Sequence, residues 1–377
     1  MKGSRRLFAI AMIAAVVGLG TQGLWHKTSA GFPSELPASN SALSQDLQAF
    51  AALNPIDTHT HVFKNDPAFV EMLRQLHLQV VDICVVNDLT PRSKGLEPQL
   101  DNALSVVRSA KGYAWLCTTF DPYRFDQPDF SERAMQQLDK NFAEGAVAVK
   151  IWKNIGMEIK RPDGQYVMPD DPVFEGIYKD IAAHNKTLIA HLAEPDSCWQ
   201  PPNPKSGDYS YYQEHPEWYM YRQPDHPSKA TILAARDRML ANNPQLRVVG
   251  AHLGSMETDL DEMGRHFDHY PNFAVDTAAR VHYFMLQPRD KVRAFLIKYQ
   301  DRILYGTDLE VLQEDNTEKD LRSWKETYER DWTFFSTDHT VKYNGNTYQG
   351  ISLPAPVLRK IFHDNAVYWI PGIMGKP

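Results

Sequence analysis

The sequence predicts an α/β fold: a (β/α)8 TIM barrel with a lid insertion after the fifth strand and a C-terminal hairpin and helix. Three observations lead there. Eight short apolar runs alternate with longer stretches of helical spacing. The runs are continuous rather than alternating, as strands covered on both faces are. The first strand ends in Asp57-Thr58-His59-Thr60-His61, without the glycines that a doubly wound dinucleotide-binding sheet carries at that turn.

Taken in order, the strands fall at residues 55–58, 80–86, 113–119, 146–152, 187–192, 247–252, 273–277 and 303–307. Helical spacing fills 96–109, 132–142, 172–184, 229–242, 257–270 and 288–299. In the second of these helices Ala134, Leu138 and Phe142 recur every four residues and form one stripe. Ser131 precedes that helix, Asp171-Pro172 opens the next, and Gln287-Pro288 opens the last. Proline in a first turn forfeits no hydrogen bond, because its N–H would be unpaired there anyway. Residues 195–227, rich in Pro, Tyr, Trp and His, follow the fifth strand at the end of a barrel where active sites lie, and are expected to form the lid. Asn344-Gly345, between Val341-Lys342-Tyr343 and Thr347-Tyr348, marks a two-residue hairpin. A final amphipathic helix is expected at 355–366.

Composition bounds the remaining choices. The chain has 377 residues, 43% hydrophobic and 23% charged, which excludes a disordered chain, a coiled coil and a collagen-like repeat. A net charge of −7 without a basic stripe excludes a nucleic-acid partner. Cys84, Cys117 and Cys198 are too scattered for a disulfide framework or a thiolate zinc site, and the first two read as small core residues. At the N-terminus Lys2, Arg5 and Arg6 precede an apolar run at 7–19 and then Thr28-Ser29-Ala30. That is the pattern of a signal peptide, or of an anchor if it stays uncleaved. Ser4-Arg5-Arg6-Leu7-Phe8 is similar to a twin-arginine export signal, although Ala9 stands where leucine is usual. The expected organisation is a signal or anchor at 1–30, a linker at 31–50 and the barrel at 51–372. The expected location is the periplasm, with membrane contact only through the first segment.

The strand ends carry the chemistry, because in a barrel they converge on one mouth. The first ends in His59-Thr60-His61, whose two imidazoles share a side of the strand. The fifth ends in His191, the sixth in His252 and the eighth in Asp308. Any one histidine at a strand end is ordinarily a hydrogen-bonded structural residue. Four imidazoles and a carboxylate arriving at one rim point to a metal. Imidazole and carboxylate without thiolate suit Zn²⁺, with Fe²⁺ or Mn²⁺ as alternatives.

This ordered set resembles the amidohydrolase superfamily, in particular the branch that includes aminocarboxymuconate-semialdehyde decarboxylase. Ala251-His252-Leu253-Gly254, Tyr305-Gly306-Thr307-Asp308 and Ile361-Phe362-His363-Asp364-Asn365-Ala366 add to the resemblance, which spans roughly residues 54–370. The resemblance implies one divalent metal held by His59, His61, His191 and Asp308. It implies that His252 orients the attacking water or polarises the substrate carbonyl, with direct metal contact open to it. Asp308 would move the proton. In binuclear members a lysine at the end of the fourth strand is carboxylated and bridges two metals; Lys150 stands there, and a substrate carboxylate is its other expected partner.

Arg280 and Trp152 are further expected substrate contacts, Arg280 as a two-pronged anion clamp unless Asp276 or another neighbour engages it. Trp199, Tyr211, Tyr212 and Trp218 are expected pocket walls or lid packing, and His215 and His226 surface residues. Asp57 is expected to support the metal histidines. Three functions follow: a hydrolase attacking an amide, ester or lactone of a small substrate, a non-oxidative decarboxylase of an unsaturated or aromatic carboxylate, or a non-catalytic periplasmic binding protein. Fold alone does not choose between them.

Overall fold

The computed structural model describes residues 43–87, 95–223, 225–312 and 316–374. The expected export segment at 1–30 lies outside these residues. Among the described residues, no helix is long and apolar enough to cross a membrane.

One parallel sheet winds through the molecule: β1 (Ile56–Val62), β2 (Gln79–Ile83), β3 (Ala114–Thr119), β4 (Ala148–Ile151), β5 (Thr187–Ala190), β6 (Arg247–Gly250), β7 (Phe273–Asp276), β8 (Ile303–Leu304) and β9 (Leu309–Val311). Each strand from β2 to β8 pairs with its predecessor, and β9 returns to pair with β1 through Thr60↔Leu309, His61↔Glu310 and Val62↔Val311. β8 opens the expected eighth strand at 303–307, and β9 continues its path beyond those bounds. Between them Thr58 N–H donates to Tyr305 O at 3.0 Å and Asp308 N–H to His59 O at 2.8 Å, so the seam stays hydrogen-bonded and the sheet closes into a barrel. The ladder breaks because Asp308 adopts a left-handed backbone, φ 65°.

Strand alternation sorts the side chains. Val80, Val149, Leu188, Val248, Phe273 and Val275 face the surrounding helices, whereas Val81, Ile83, Ala148, Ile189, Val249, Ala274 and Leu304 line the interior. Ala366, Trp369, Ile370 and Ile373 plug the interior at the N-terminal end of the strands. Two residues beyond Ala148 and Ala274, and therefore on the same inner face, stand Lys150 and Asp276. Cys84, Cys117 and Cys198 are buried and unpaired, the first two as the core residues they resemble.

Among the described residues several helices lie where none was expected. The linker assignment fails at its end: Gln45–Ala51 is a helix, N-capped by the Ser44 side chain. It buries Phe50, which stacks on Tyr328 at 5.2 Å and meets Phe362 edge-on at 5.8 Å. Pro67–Gln75 starts with an Asp66 cap and a first-turn proline. Thr317–Ser336 is a 20-residue helix that buries Trp324, Tyr328, Trp332 and Phe335. The hairpin forms as expected, Thr340–Tyr343 against Asn346–Gln349, with Asn344 and Gly345 at φ 47° and 75°. Both positive angles belong to the turn type that matches strand twist.

Because Phe50 is fully buried among four aromatic rings, Phe50→Ala should cost about 3–5 kcal/mol of unfolding free energy. Urea denaturation checks this, and a loss under about 1 kcal/mol would mean that the first helix is not part of the core.

Candidate active site

The inward face of β1 delivers His59 and His61 to the barrel mouth, 1% and 8% exposed. Both rings are held from behind. His59 Nδ1 donates to Asp276 Oδ2 at 2.8 Å, and His61 Nδ1 donates to Ile83 O at 2.8 Å. A carboxylate and a carbonyl only accept, so both protons sit on Nδ1 and both Nε2 lone pairs face the mouth. Asp308 Oδ1 lies 3.5 Å from His59 Nε2 and 3.4 Å from His61 Nε2.

This triangle fits a metal. With bonds of about 2.0–2.2 Å, tetrahedral ligands stand about 3.3–3.6 Å apart. The donor atoms of His59, His61 and Asp308 all fall within 4.8 Å of one another. His191 stands outside that close group, yet its Nε2 is buried without a hydrogen-bond partner. Its ring lies 4.2 Å from that of His252, which is 4.8 Å from that of His59. An orphaned buried nitrogen beside a donor triangle is what a missing ligand leaves.

His252 occupies the turn after β6 at φ 59°, with its N–H on Asp276 Oδ1 at 2.8 Å and its Nδ1 donating to Ala278 O at 2.9 Å. Asp276 therefore holds one histidine by its ring and another by its backbone. Lys150, 1% exposed, brings Nζ to 3.0 Å from His59 Nε2. Burial lowers the pKa of Lys150, His59, His191 and His252, favouring neutral nitrogens. Burial alone would raise that of Asp308, but the imidazoles of His252, His61 and His59 outweigh it and keep the carboxyl well below the usual range.

Three expectations need correction. Asp57 does not support the imidazoles. It accepts from the backbone N–H groups of His59 and Thr307 and from the hydroxyls of Thr307 and Tyr328, and so staples β1 to the eighth strand. Asp276 supports His59 and leaves Arg280 alone. Arg280 Nη1 donates to Ala279 O, Nη2 lies 3.8 Å from Glu194 Oε2, and Nε is buried without a partner. His215 is buried, with Nδ1 3.3 Å from Glu217 Oε1; His226 is half-buried.

The insertion after β5 reaches the barrel wall. Asp208 accepts from Ser197 and from Tyr283, both at 2.6 Å, and Trp218 packs edge-on against Trp152 at 5.1 Å. Trp152 lies 6.4 Å from His191. Sequence reasoning missed Lys153 and Glu194, a buried ion pair beside these aromatics. Neither ends a strand, and only their nearness to Trp152 and His191 in sequence hinted at them.

The amidohydrolase family profile matches residues 56–369. The chain belongs to the amidohydrolase family. No protein of curated function matches the sequence significantly. Among solved structures, 2,6-dihydroxybenzoate decarboxylase from Rhizobium is 12% identical, with a TM-score of 0.49 over 84% of this chain and 98% of that one. A 5-carboxyvanillate decarboxylase from Novosphingobium aromaticivorans with bound manganese is 11% identical, with a TM-score of 0.46 over 84% and 96%. Dihydroorotase from Campylobacter jejuni is 12% identical, with a TM-score of 0.43 over 84% and 82%.

Asp276→Asn should weaken divalent-metal affinity about 10–100-fold, because it loosens the ring of His59; competition with a chromogenic chelator reads this, and unchanged affinity would remove Asp276 from the site. Asp82 offers a pH test. Its Oδ1 accepts from Val62 N–H at 2.9 Å, its Oδ2 has no partner, and burial pushes its carboxyl up to about 7. The folded protein thus keeps a proton that the unfolded chain releases near pH ~4. Stability from this group is present below pH ~4 and is lost as pH rises towards ~7. Asp82→Asn keeps the acceptor, so metal-free mutant protein should melt above wild type at pH ~8, with a gap that closes towards pH ~4; a gap constant with pH would exclude the buried proton.

Proposed function

We propose that this amidohydrolase-family enzyme is a metal-dependent hydrolase that cleaves an amide, ester or lactone carbonyl of a small, anionic substrate. The observation that carries the reading is the Asp308 carboxylate, held ionised within 3.4–3.5 Å of two imidazole Nε2 atoms. His59, His61, His191 and Asp308 would hold the ion, and zinc suits this donor set. When bound, that ion supplies Lewis acidity and a water of lowered pKa.

The chain's own groups do the rest. Asp308 takes the proton from the attacking water and returns it to the leaving group. His252 carries its proton on Nδ1, so its Nε2 accepts; this supports a role in orienting water rather than in polarising a carbonyl, which needs a donor. Lys150 reaches His59 rather than open solvent. The insertion at 195–222, tied through Asp208 to Tyr283, would act as the lid that excludes bulk water.

The test is a panel of lactones, amides and aromatic carboxylates run in ¹⁸O-water with metal-loaded enzyme. Label in the product is expected. Carbon dioxide release without label would replace hydrolysis by decarboxylation, and metal binding without any turnover would leave a binding protein. Asp308→Asn at saturating metal should lose about 10²–10⁴ in kcat; full turnover would end its role in proton transfer. Elemental analysis should give one metal per chain with or without bicarbonate. A second equivalent appearing only with bicarbonate would mean a carboxylated Lys150.

A further inference from the structure

Beside the histidines lies a second buried group of charges. Glu194, 3% exposed, sits three residues after His191, with Oε1 3.8 Å from His191 Nε2. The same oxygen is in contact with Lys153 Nζ. Lys153 also donates to Tyr211 Oη at 2.6 Å, and its ammonium lies 5.3, 5.0 and 4.6 Å from the ring centres of Trp152, Tyr211 and Trp218. The other Glu194 oxygen faces Arg280 Nη2 at 3.8 Å, beyond hydrogen-bond range.

Arg280 is the member least satisfied in hydrogen bonds. It is 6% exposed, its Nε has no partner, and its Nη1 donates only to the carbonyl of the residue before it. Asp208 and Glu257 act on it by charge rather than by a hydrogen bond: Asp208 accepts from the hydroxyls of Ser197 and Tyr283, and Glu257 pairs through Oε1 with Lys229 at 3.1 Å. A guanidinium so little used presents its Nε–Nη2 edge in the fork that one carboxylate fills. Lys153, by contrast, is already neutralised.

We infer that Arg280 receives one carboxylate of the substrate, and that Glu194, paired with Lys153, stands where a second would bind and so restricts the site to monocarboxylates. The inference rests on the reading of this mouth as a small-molecule site, and it names the substrate class. A second anionic group would meet the Glu194 carboxylate where water is excluded and like charges repel strongly. The rings of Trp152, Tyr211 and Trp218 would receive the apolar body of the substrate.

Isothermal titration of the full-length protein, metal-loaded and chelator-treated, with benzoate, benzamide and isophthalate tests this. Wild type should bind benzoate at least about tenfold tighter than benzamide, and isophthalate more weakly than benzoate. Arg280→Met should abolish the benzoate preference and Arg280→Lys should restore it in part, because an ammonium lacks the fork. Glu194→Gln should tighten isophthalate at least about tenfold while changing benzoate less. The wild-type comparison needs no variant, and circular dichroism checks that each variant folds. Equal binding of benzoate and benzamide, no benzoate binding, or an unchanged isophthalate affinity in Glu194→Gln would overturn the inference. So would a benzoate preference that survives Arg280→Met and vanishes on chelation, which would put the anion on the metal and leave the proposed function standing. Arg280-dependent benzoate binding in a protein that hydrolyses nothing in the panel would uphold the subsite and sink the hydrolase reading instead.

Discussion

The seam between β1 and the eighth strand is the constraint on which the rest depends. Asp308 N–H donates to His59 O, so a backbone bond that helps to close the barrel also joins the carboxylate residue to the histidine it faces. Asp57 reinforces the same seam with two hydrogen bonds from Thr307, and its carboxylate also accepts from His59 N–H on its own strand and from the Tyr328 hydroxyl. The left-handed backbone at Asp308 is a cost of order 1–3 kcal/mol that only such over-determination sustains. Closure and chemistry are thus one geometric problem.

Burial then sets the charge states. Small inner-face residues, Ala148 and Ala274, are followed two positions later by Lys150 and Asp276, which project on the same face towards His59. With water excluded, burial lowers the pKa of His59 and His252, whereas the Asp308 carboxylate beside His61 outweighs burial there, raises the His61 pKa and itself stays ionised. Asp276 stays ionised too, burial notwithstanding, because His59 and His252 face it. The polarity of the mouth thus follows from strand parity and depth rather than from any one charged loop.

Much of this was legible in the sequence. The eight strands read clearly because both of their faces are buried, and His59, His61 and Asp308 could be picked out because they end strands. The helix Thr317–Ser336 was not legible: its polar mixture of acids and aromatics follows the last expected strand, and its buried stripe has meaning only against the helix holding Phe50. Asp276 was set against Arg280 because the two are close in sequence, but Asp276 ends β7 facing inward, whereas Arg280 lies beyond the turn through Ala279 at φ 52°. Lys153 and Glu194 lie in the segments that follow β4 and β5, and nothing in the spacing of either reveals the other. Residues 45–51 looked like tether because their buried stripe of Leu47, Phe50 and Ala51 spans little more than one turn, too short to establish a period.

The two ends of the barrel sequence meet at that seam, with β1 at Ile56–Val62 and β9 at Leu309–Val311. A growing chain on the ribosome therefore has no complete ligand cradle until almost all of it has emerged. A chain cut short before Asp308 carries His59 and His61 but lacks the third corner of their triangle.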